Sequence, residues 1–229
     1  MDCLYTYKGI RQSQEAFFLR LFSVKVGNLD VSYHNSNTVI VKVEYRAAAA
    51  TKSDLDKIVE ETKLSIKTNE EVLELRINKK DSEESIWEWL NKNISKYNIS
   101  ADVQISIPKQ IQNFDMEMDV GYIKADGLQG RFKLKTNTGG ITANNIRFTG
   151  NSTIVTDMGN VNLLLSKEEP DTSETEIHTR NGDIEIDVGN LLYEEEVSGS
   201  FSASKNKTII ISNKCRIRSS TDYGKIMVR

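Results

Sequence analysis

A glycine followed by alternating apolar and polar residues recurs along the second half of this chain, and no other feature restricts its fold as strongly. The pattern returns roughly every 20 residues and begins at Gly121, Gly139, Gly159, Gly182, Gly199 and Gly224. The second and fourth residues after each glycine are apolar, as in Val161 and Leu163, and the residue between them is polar except at Met227. Alternation with period two indicates a strand that buries one face.

The residues that precede these glycines are mostly turn formers. The chain reads TNTGG from Thr136, TDMGN from Thr156, TRNGD from Thr179 and TDYGK from Thr221. Asparagine and aspartate favour turns, and glycine permits the close backbone approach that a sharp corner requires. We therefore predict that each glycine forms a corner and that each following run forms one side of a coil.

Repeats of this length without a helical pattern are typical of a stacked β-solenoid. The sequence thus predicts an all-β fold, a parallel β-solenoid or prism-like array of about six coils, with a small inserted α/β region. Equivalent residues of successive coils would stack about 4.8 Å apart. An antiparallel sandwich with short strands and glycine turns shares the alternation and stays the alternative. The common position of the glycine favours the solenoid.

The region ahead of the array begins with an earlier copy of the pattern and then changes character. Gly27 is followed by Leu29 and Val31 at the same offsets, and residues 37–47 read as a further strand. Residues 51–62 predict a helix with Ser53 as its N-cap, KLSIK and VLELRIN predict paired strands, and residues 82–97 predict a second helix. We divide the chain into an N-terminal segment (1–47), an inserted helix–hairpin–helix region (48–100) and a repeat domain (101–229).

Composition and charge argue against several classes of protein. The 229 residues carry a net charge of −3, which disfavours a dedicated nucleic-acid binder. The two cysteines, Cys3 and Cys215, are too few for a disulfide framework. The most apolar stretch, residues 16–26, contains Arg20 and Lys25 and is too short and too charged for a membrane span or a signal peptide. We expect the chain as written to be soluble and cytoplasmic.

Residues 101–146 and the later runs TRNGDIEIDV and STDYGKIMV resemble a bacterial adhesin domain family of unknown function. The shared features are a strand that ends in Ile107-Pro108-Lys109 and the glycine-led coils from Gly121 onward. The resemblance covers residues 24–229 and implies an all-β, solenoid-like or prism-like domain that is exported or tethered to a membrane. It brings no catalytic residues. The chain departs from the family in lacking a visible leader and in carrying a tryptophan-containing insertion at 82–97.

The strongest candidates for chemistry are Asp183, Glu185 and Asp187. They alternate along one predicted strand and share its outward face, about 7 Å apart, a separation that suits a carboxylate pair in carbohydrate cleavage. A solvated acidic strip is the favoured interpretation, ahead of a Ca²⁺ contact and of catalysis. The flanking coils are expected to place only neutral side chains beside the strip, namely Asn160, Asn162, Ser200 and Ser202.

Trp87 and Trp89 lie two residues apart on a predicted helix and point about 200° apart around its axis, so one can pack while the other is exposed. A helix that caps the open end of the array is favoured, and a helix that contacts a membrane or a partner is the alternative. His34 and His178 read as surface residues. Two distant histidines and two distant cysteines predict no metal site.

We interpret the chain as a non-enzymatic binding or scaffold module of the adhesin type at the cell envelope. We expect no catalytic residues, no cofactor, no metal and no nucleic acid, and a protein or glycan at the envelope is the expected kind of partner. The alternative is an intracellular scaffold that assembles through the ends of the solenoid. A carbohydrate-active enzyme is the third interpretation.

Overall fold

The computed structural model describes residues 2–7, 17–68, 72–168, 170, 172–189, 194–200, 203–212 and 214–229. The fold is mostly β, with 68% strand, 10% helix and an open sheet. The helices are α1 (Lys52–Glu61) and α2 (Ile86–Asn93). The strands are β1 (Asp2–Tyr7), β2 (Phe17–Tyr33), β3 (Val39–Ala49), β4 (Thr62–Thr68), β5 (Val72–Lys79), β6 (Tyr97–Ile107), β7 (Ile111–Asp126), β8 (Gln129–Thr138), β9 (Ile141–Phe148), β10 (Ser152–Met158), β11 (Val161–Leu165), β12 (Ser173–Asn181), β13 (Ile184–Asp187), β14 (Glu194–Ser200), β15 (Ala203–Ile211), β16 (Cys215–Tyr223) and β17 (Ile226–Val228).

The strands form two faces that meet at the glycine corners. Strands that lead into a corner form the leading face, in the order β4–β5–β2–β7–β8–β10–β12–β16–β15–β14. Strands that leave a corner form the trailing face, in the order β1–β3–β6–β2–β7–β9–β11–β13–β17. The long strands β2 and β7 pass through a corner and belong to both faces. On the leading face every adjacent pair of strands from β5 to β16 is parallel. The same holds on the trailing face from β6 to β17, as the glycine repeat predicts.

Strand β2 lies between β6 and β7 in space although it precedes both in the sequence. Gly27 aligns with Gly121, so the earlier copy of the pattern is part of the same stack. The boundaries at 47/48 and 100/101 stay a prediction. Strands on opposite sides of each boundary are nonetheless hydrogen-bonded, since β3 pairs with β6 and β2 pairs with β7.

The prediction that Gly199 begins a further coil is wrong. Gly199 lies in β14, which pairs antiparallel with β15 and places Gly199 opposite Asn206. The next corner after Gly182 is instead Gly224, because β12 pairs with β16 and β13 pairs with β17. The alternating run predicted to follow Gly199 spans the end of β14 at Ser200 and the start of β15 at Ala203, so alternation could not distinguish a parallel coil from a hairpin. Phe201 and Ser202, which belonged to the same prediction, lie outside the described residues.

The alternating residues after each corner point inward, as predicted. Ile141, Val161 and Ile184 are completely buried and occupy equivalent positions in adjacent strands. In β7 and β8, seven residues before the corners, the core is aromatic, since the rings of Phe114 and Phe132 stack with centroids 4.9 Å apart. Stacking buries in each layer the apolar face that a single coil could not bury alone.

Both predicted helices exist with different limits. α1 begins after Thr51, whose Oγ1 accepts a hydrogen bond from the Asp54 N–H at 3.1 Å. Thr51 is therefore the N-cap, and the prediction of Ser53 is wrong. α2 is shorter than the predicted 82–97, because a backbone hydrogen bond from Lys79 N–H to the Glu84 carbonyl ties the preceding segment to β5. Within the described residues, neither helix combines the length and apolarity needed to cross a membrane.

Candidate functional site

The glycine corners form a close-packed column, Gly27, Gly121, Gly139, Gly159, Gly182 and Gly224, which we call the corner column. Gly27 lies against the carbonyl group of Ala101, and each later glycine lies against the carbonyl group of the preceding corner. A Cβ atom built on Gly159 would lie 2.0 Å from the Gly139 carbonyl oxygen, and one on Gly224 would lie 1.9 Å from that of Gly182. Only glycine fits, because any side chain would overlap the backbone of the neighbouring coil.

A threonine three residues before the corner stabilises this column. Its hydroxyl group donates a hydrogen bond to the carbonyl oxygen of the preceding glycine, at 2.8 Å from Thr156 to Gly139 and at 2.9 Å from Thr179 to Gly159. Thr221 does the same to Gly182 at 2.9 Å and Thr136 to Gly121 at 3.3 Å. These four side chains are buried. The recurring Thr-x-x-Gly motif is visible in the sequence, but the sequence alone predicted no role for its threonine.

Asp183 is a structural residue of the corner column. Its Oδ1 accepts a hydrogen bond from the Lys225 N–H at 2.8 Å. Asn160 accepts one from the Asp183 N–H at 2.9 Å, and Asn28 accepts one from the Tyr122 N–H at 3.2 Å. The residue after each of these glycines thus uses a side-chain oxygen to hold the backbone of the next corner. The same position carries Asn or Asp because both supply that acceptor.

Glu185 and Asp187 are also engaged within the fold. The Arg229 guanidinium lies 2.5 Å from a Glu185 carboxylate oxygen and 4.0 Å from one of Asp187. Asp187 additionally accepts a hydrogen bond from the Gly189 N–H at 2.9 Å. The prediction of neutral neighbours is wrong on the C-terminal side, because β17 lies there in place of the segment containing Ser200 and Ser202. Alternation could not reveal Arg229, which reaches the strip through strand pairing.

The described residues contain no group of three or more His, Cys, Asp or Glu side chains placed to hold a metal ion. The acidic strip is therefore not a cluster of this kind. An outward row of carboxylates that bind backbone N–H groups and one arginine can hold two strands in register.

Trp87 and Trp89 lie on α2, which packs against β5. Trp87 is 4% exposed, and Trp89 is half-buried against the core. Trp87 therefore packs inside, as expected for one of the two, and Trp89 also contributes to packing. The indole N–H of Trp87, the hydroxyl of Ser85 and the amide of Asn78 are buried without a hydrogen-bond partner. Asn78 and Ser85 face each other across an isolated bridge.

A shallow cavity of about 180 Å³ opens between α2 and the leading face. Its walls include Lys25, Ser85, Glu88, Glu117 and Asp119. Glu117 accepts a hydrogen bond from Lys135 at 2.6 Å, and this bond together with the carboxylate charge raises the pKa of Lys135. The cavity is smaller than the roughly 300–1,000 Å³ of typical ligand pockets. It is large enough for one polar or cationic group of a larger partner.

His178 and Ser220 form a pair that sequence reasoning did not find. The His178 Nδ1 lies 2.9 Å from the Ser220 Oγ, and the two residues are direct neighbours of β12 and β16. A serine beside an imidazole is one part of a nucleophilic site. Here the contact follows from two polar side chains stacking on the outward side of adjacent strands.

The Toastrack DUF4097 family matches residues 9–226 of the chain. The chain therefore belongs to this family, a repeat-type β fold of unknown function. Neither a curated protein nor a solved structure matches the chain. The family agrees with the parallel stack and adds no catalytic or binding residue to the geometry.

Proposed function

We propose that this domain is a non-enzymatic binding or scaffold module of the adhesin type, with β-solenoid coils as its frame, at the cell envelope. The observation that carries the proposal is the engagement of the acidic strip. Asp183, Glu185 and Asp187 hold neighbouring backbone and Arg229. These carboxylates, the strongest candidates for catalysis by residue type, thus support the stacking of coils.

Outward charges on the leading face are also paired with charges on adjacent strands. Lys133 lies 3.3 Å from Asp115, Lys135 lies 2.6 Å from Glu117, and further along the stack Arg180 pairs with Asp157. Each pair joins adjacent strands. Exposed pairs of this kind contribute only about 0.2–1 kcal/mol each, so their role is to favour one register over a slipped one. Such a surface supports a regular frame that presents its partner-binding features at the ends or at the α2 cavity.

Carbohydrate cleavage is tested with purified protein against a set of bacterial glycans, together with the variants Asp183→Asn and Glu185→Gln. A matched control is Asp126→Asn, which lies on the same face near another corner. We expect no cleavage by any of the four proteins. Cleavage that is lost in the two strip variants and kept in the control would show that the domain is an enzyme.

The envelope location is tested by protease treatment of intact source cells, with an antibody to this domain as the readout. Loss of the signal is expected, because an envelope module is accessible from outside. Complete protection until lysis would contradict the envelope assignment and would favour the self-assembling intracellular scaffold.

A further inference from the structure

The trailing face ends at an open strand edge. Within the described part of the chain, β13 is the one strand that pairs with β17. The Ile184 N–H donates to the Lys225 carbonyl, and the Arg229 N–H donates to the Ile186 carbonyl. Backbone groups of a strand alternate in direction, so the N–H and C=O groups of Ile226 and Val228 point away from β13. They form a short row of donors and acceptors that another strand could pair with.

The last layer of the core is incompletely covered at this edge. Ile184 and Ile186 are completely buried, whereas Ile226 and Val228, which align with them in β17, are only half-buried. On the leading face the stack continues past this layer with β15 and β14. The two faces therefore end at different heights, since β15 covers β16 on the leading face and, among the described residues, no strand covers the far side of β17 on the trailing face.

The charges on β17 indicate what can pair there. Lys225 and Arg229 are exposed and point outward at the two ends of the strand. Two copies pairing antiparallel through Met227 would place Lys225 directly opposite Arg229 of the second copy, and like charges in this position are destabilising. On its other side β17 pairs with β13, in the sequence DIEID of residues 183–187. The isoleucines of this sequence point inward, and two of its carboxylates contact Arg229.

We propose that the β17 edge binds an extended segment of a partner protein with alternating apolar and acidic side chains. The segment adds one strand to the trailing face, covers Ile226 and Val228 with its apolar side chains, and places its carboxylates beside Lys225 and Arg229. This inference rests on the proposed binding function and names its class of partner.

The test uses a fluorescently labelled peptide NGDIEIDV, which copies residues 181–188, and measures its binding to the full chain by anisotropy. We expect saturable binding, and at least about tenfold weaker binding of NGKIKIKV, since opposite charges opposite each other favour pairing and like charges oppose it. Two further peptides carry N-methyl groups either at the isoleucines or at the acidic residues. Because only one edge of the peptide faces β17, we expect one of these peptides to lose binding and the other to keep it.

Two protein variants test the edge itself. Val228→Pro removes an N–H that points away from β13 and leaves the bonds of Met227 and Arg229 in place, so we expect about a tenfold loss of peptide affinity. Lys225→Glu should weaken binding of the acidic peptide about fivefold and strengthen binding of the lysine peptide. Lys42→Glu is the matched control. It makes the same charge change at an exposed side chain of β3, near the other end of the trailing face.

The inference is overturned by the absence of saturable binding, by equal binding of both N-methylated peptides, or by affinities that Lys225→Glu leaves unchanged. A dimer seen by light scattering that Val228→Pro abolishes would also overturn it, because the occupant would then be a second copy. The proposed function fails separately, through glycan cleavage or complete protection of the domain in intact cells. Neither of those results depends on the β17 edge.

Discussion

The side-chain amide of Asn206 donates a hydrogen bond to the carbonyl oxygen of Gly224 at 2.6 Å. In the earlier coils the corresponding glycine carbonyl receives its hydrogen bond from a threonine of the next coil, as Gly182 does from Thr221. Asn206 lies directly opposite Thr221 in the antiparallel pairing of β15 with β16. The hairpin strand β15 thus completes the corner column where the repeat ends.

Replacing Asn206 with alanine should lower the free energy of unfolding by about 1 kcal/mol, because the Gly224 carbonyl loses its donor. Asn206→Asp should cost more, since a carboxylate would face the carbonyl oxygen. Urea denaturation measures both changes. Asn162→Ala, an exposed outward residue of β11, is the control and should be nearly silent. Equal effects of the alanine variants at 206 and 162 would refute the capping role.

Thr156→Val should lower the free energy of unfolding by about 1–3 kcal/mol, because it removes a buried hydroxyl donor while preserving the shape and leaves the Gly139 carbonyl without that bond. Thr156→Ser keeps the hydroxyl and should be milder. Thr153→Val changes an exposed threonine of the same strand and serves as the control. A valine at 156 that is as stable as one at 153 would show that the column does not need its hydroxyl groups.

Gly159→Ala should prevent cooperative folding, since the added Cβ would lie 2.0 Å from the Gly139 carbonyl oxygen and 2.5 Å from its carbon. Gly189→Ala provides a contrast. Gly189 has a φ of +61° and no atom within 4 Å of the added Cβ, so its replacement carries only the backbone penalty of about 1–2 kcal/mol. Thermal melting followed by circular dichroism separates the two. A Gly159→Ala protein that melts at or above the temperature of Gly189→Ala would contradict the close approach.

Val161→Asp should disrupt the array, because the side chain is completely buried and an unpaired charge there is strongly unfavourable. Asn160→Asp beside it should be nearly neutral, since an aspartate supplies the same oxygen to the Asp183 N–H. The melting temperatures of the two variants test whether residue 161 points inward and residue 160 points outward. Similar values would refute the inward and outward assignment of these residues.

Cys215 should react slowly with thiol reagents in the folded protein. Burial raises the pKa of its thiol, and the hydrogen bond with Ser173 lowers it only in part. The folded state therefore keeps its proton to higher pH than the unfolded state, and the contribution to stability is lost as the pH rises above the ordinary thiol pKa. In a Cys3→Ser background, labelling at mildly alkaline pH should rise sharply on adding denaturant. Rapid labelling of the folded protein would contradict the burial.

Much of the local structure was predictable because it depends on neighbours in the sequence. The inward position of Val161 and the outward position of Asn160 follow from the alternation of a strand. The helix at α1 and the β4–β5 hairpin follow from equally local patterns. The acidic strip was also correctly placed outward, since Asp183, Glu185 and Asp187 alternate with buried isoleucines.

The identity of neighbouring strands was harder to predict. Gly199 and Gly224 both begin an alternating run, yet Gly224 joins the corner column and Gly199 lies in a hairpin. Gly224 has Thr221 three residues before it, as three earlier corners have a threonine, where Gly199 has Glu196. The threonine is not required for a corner, because Gly27 and Gly121 have Val24 and Met118 at that position. Without the structure, nothing showed that this hydroxyl group reaches the backbone of another coil.

The sequence by itself determined most of the strands, the side chains that point inward along them and every corner of the column, but it also predicted a corner at Gly199 that the fold does not have. These properties follow from φ and ψ preferences and from alternation along a single strand. The tertiary structure alone decided that β2 lies between β6 and β7, that Arg229 binds Glu185 and that Asn206 ends the corner column. These contacts join residues far apart in the chain. The backbone donor and acceptor are the same for every residue except proline, so the sequence of one strand does not specify which strand pairs with it.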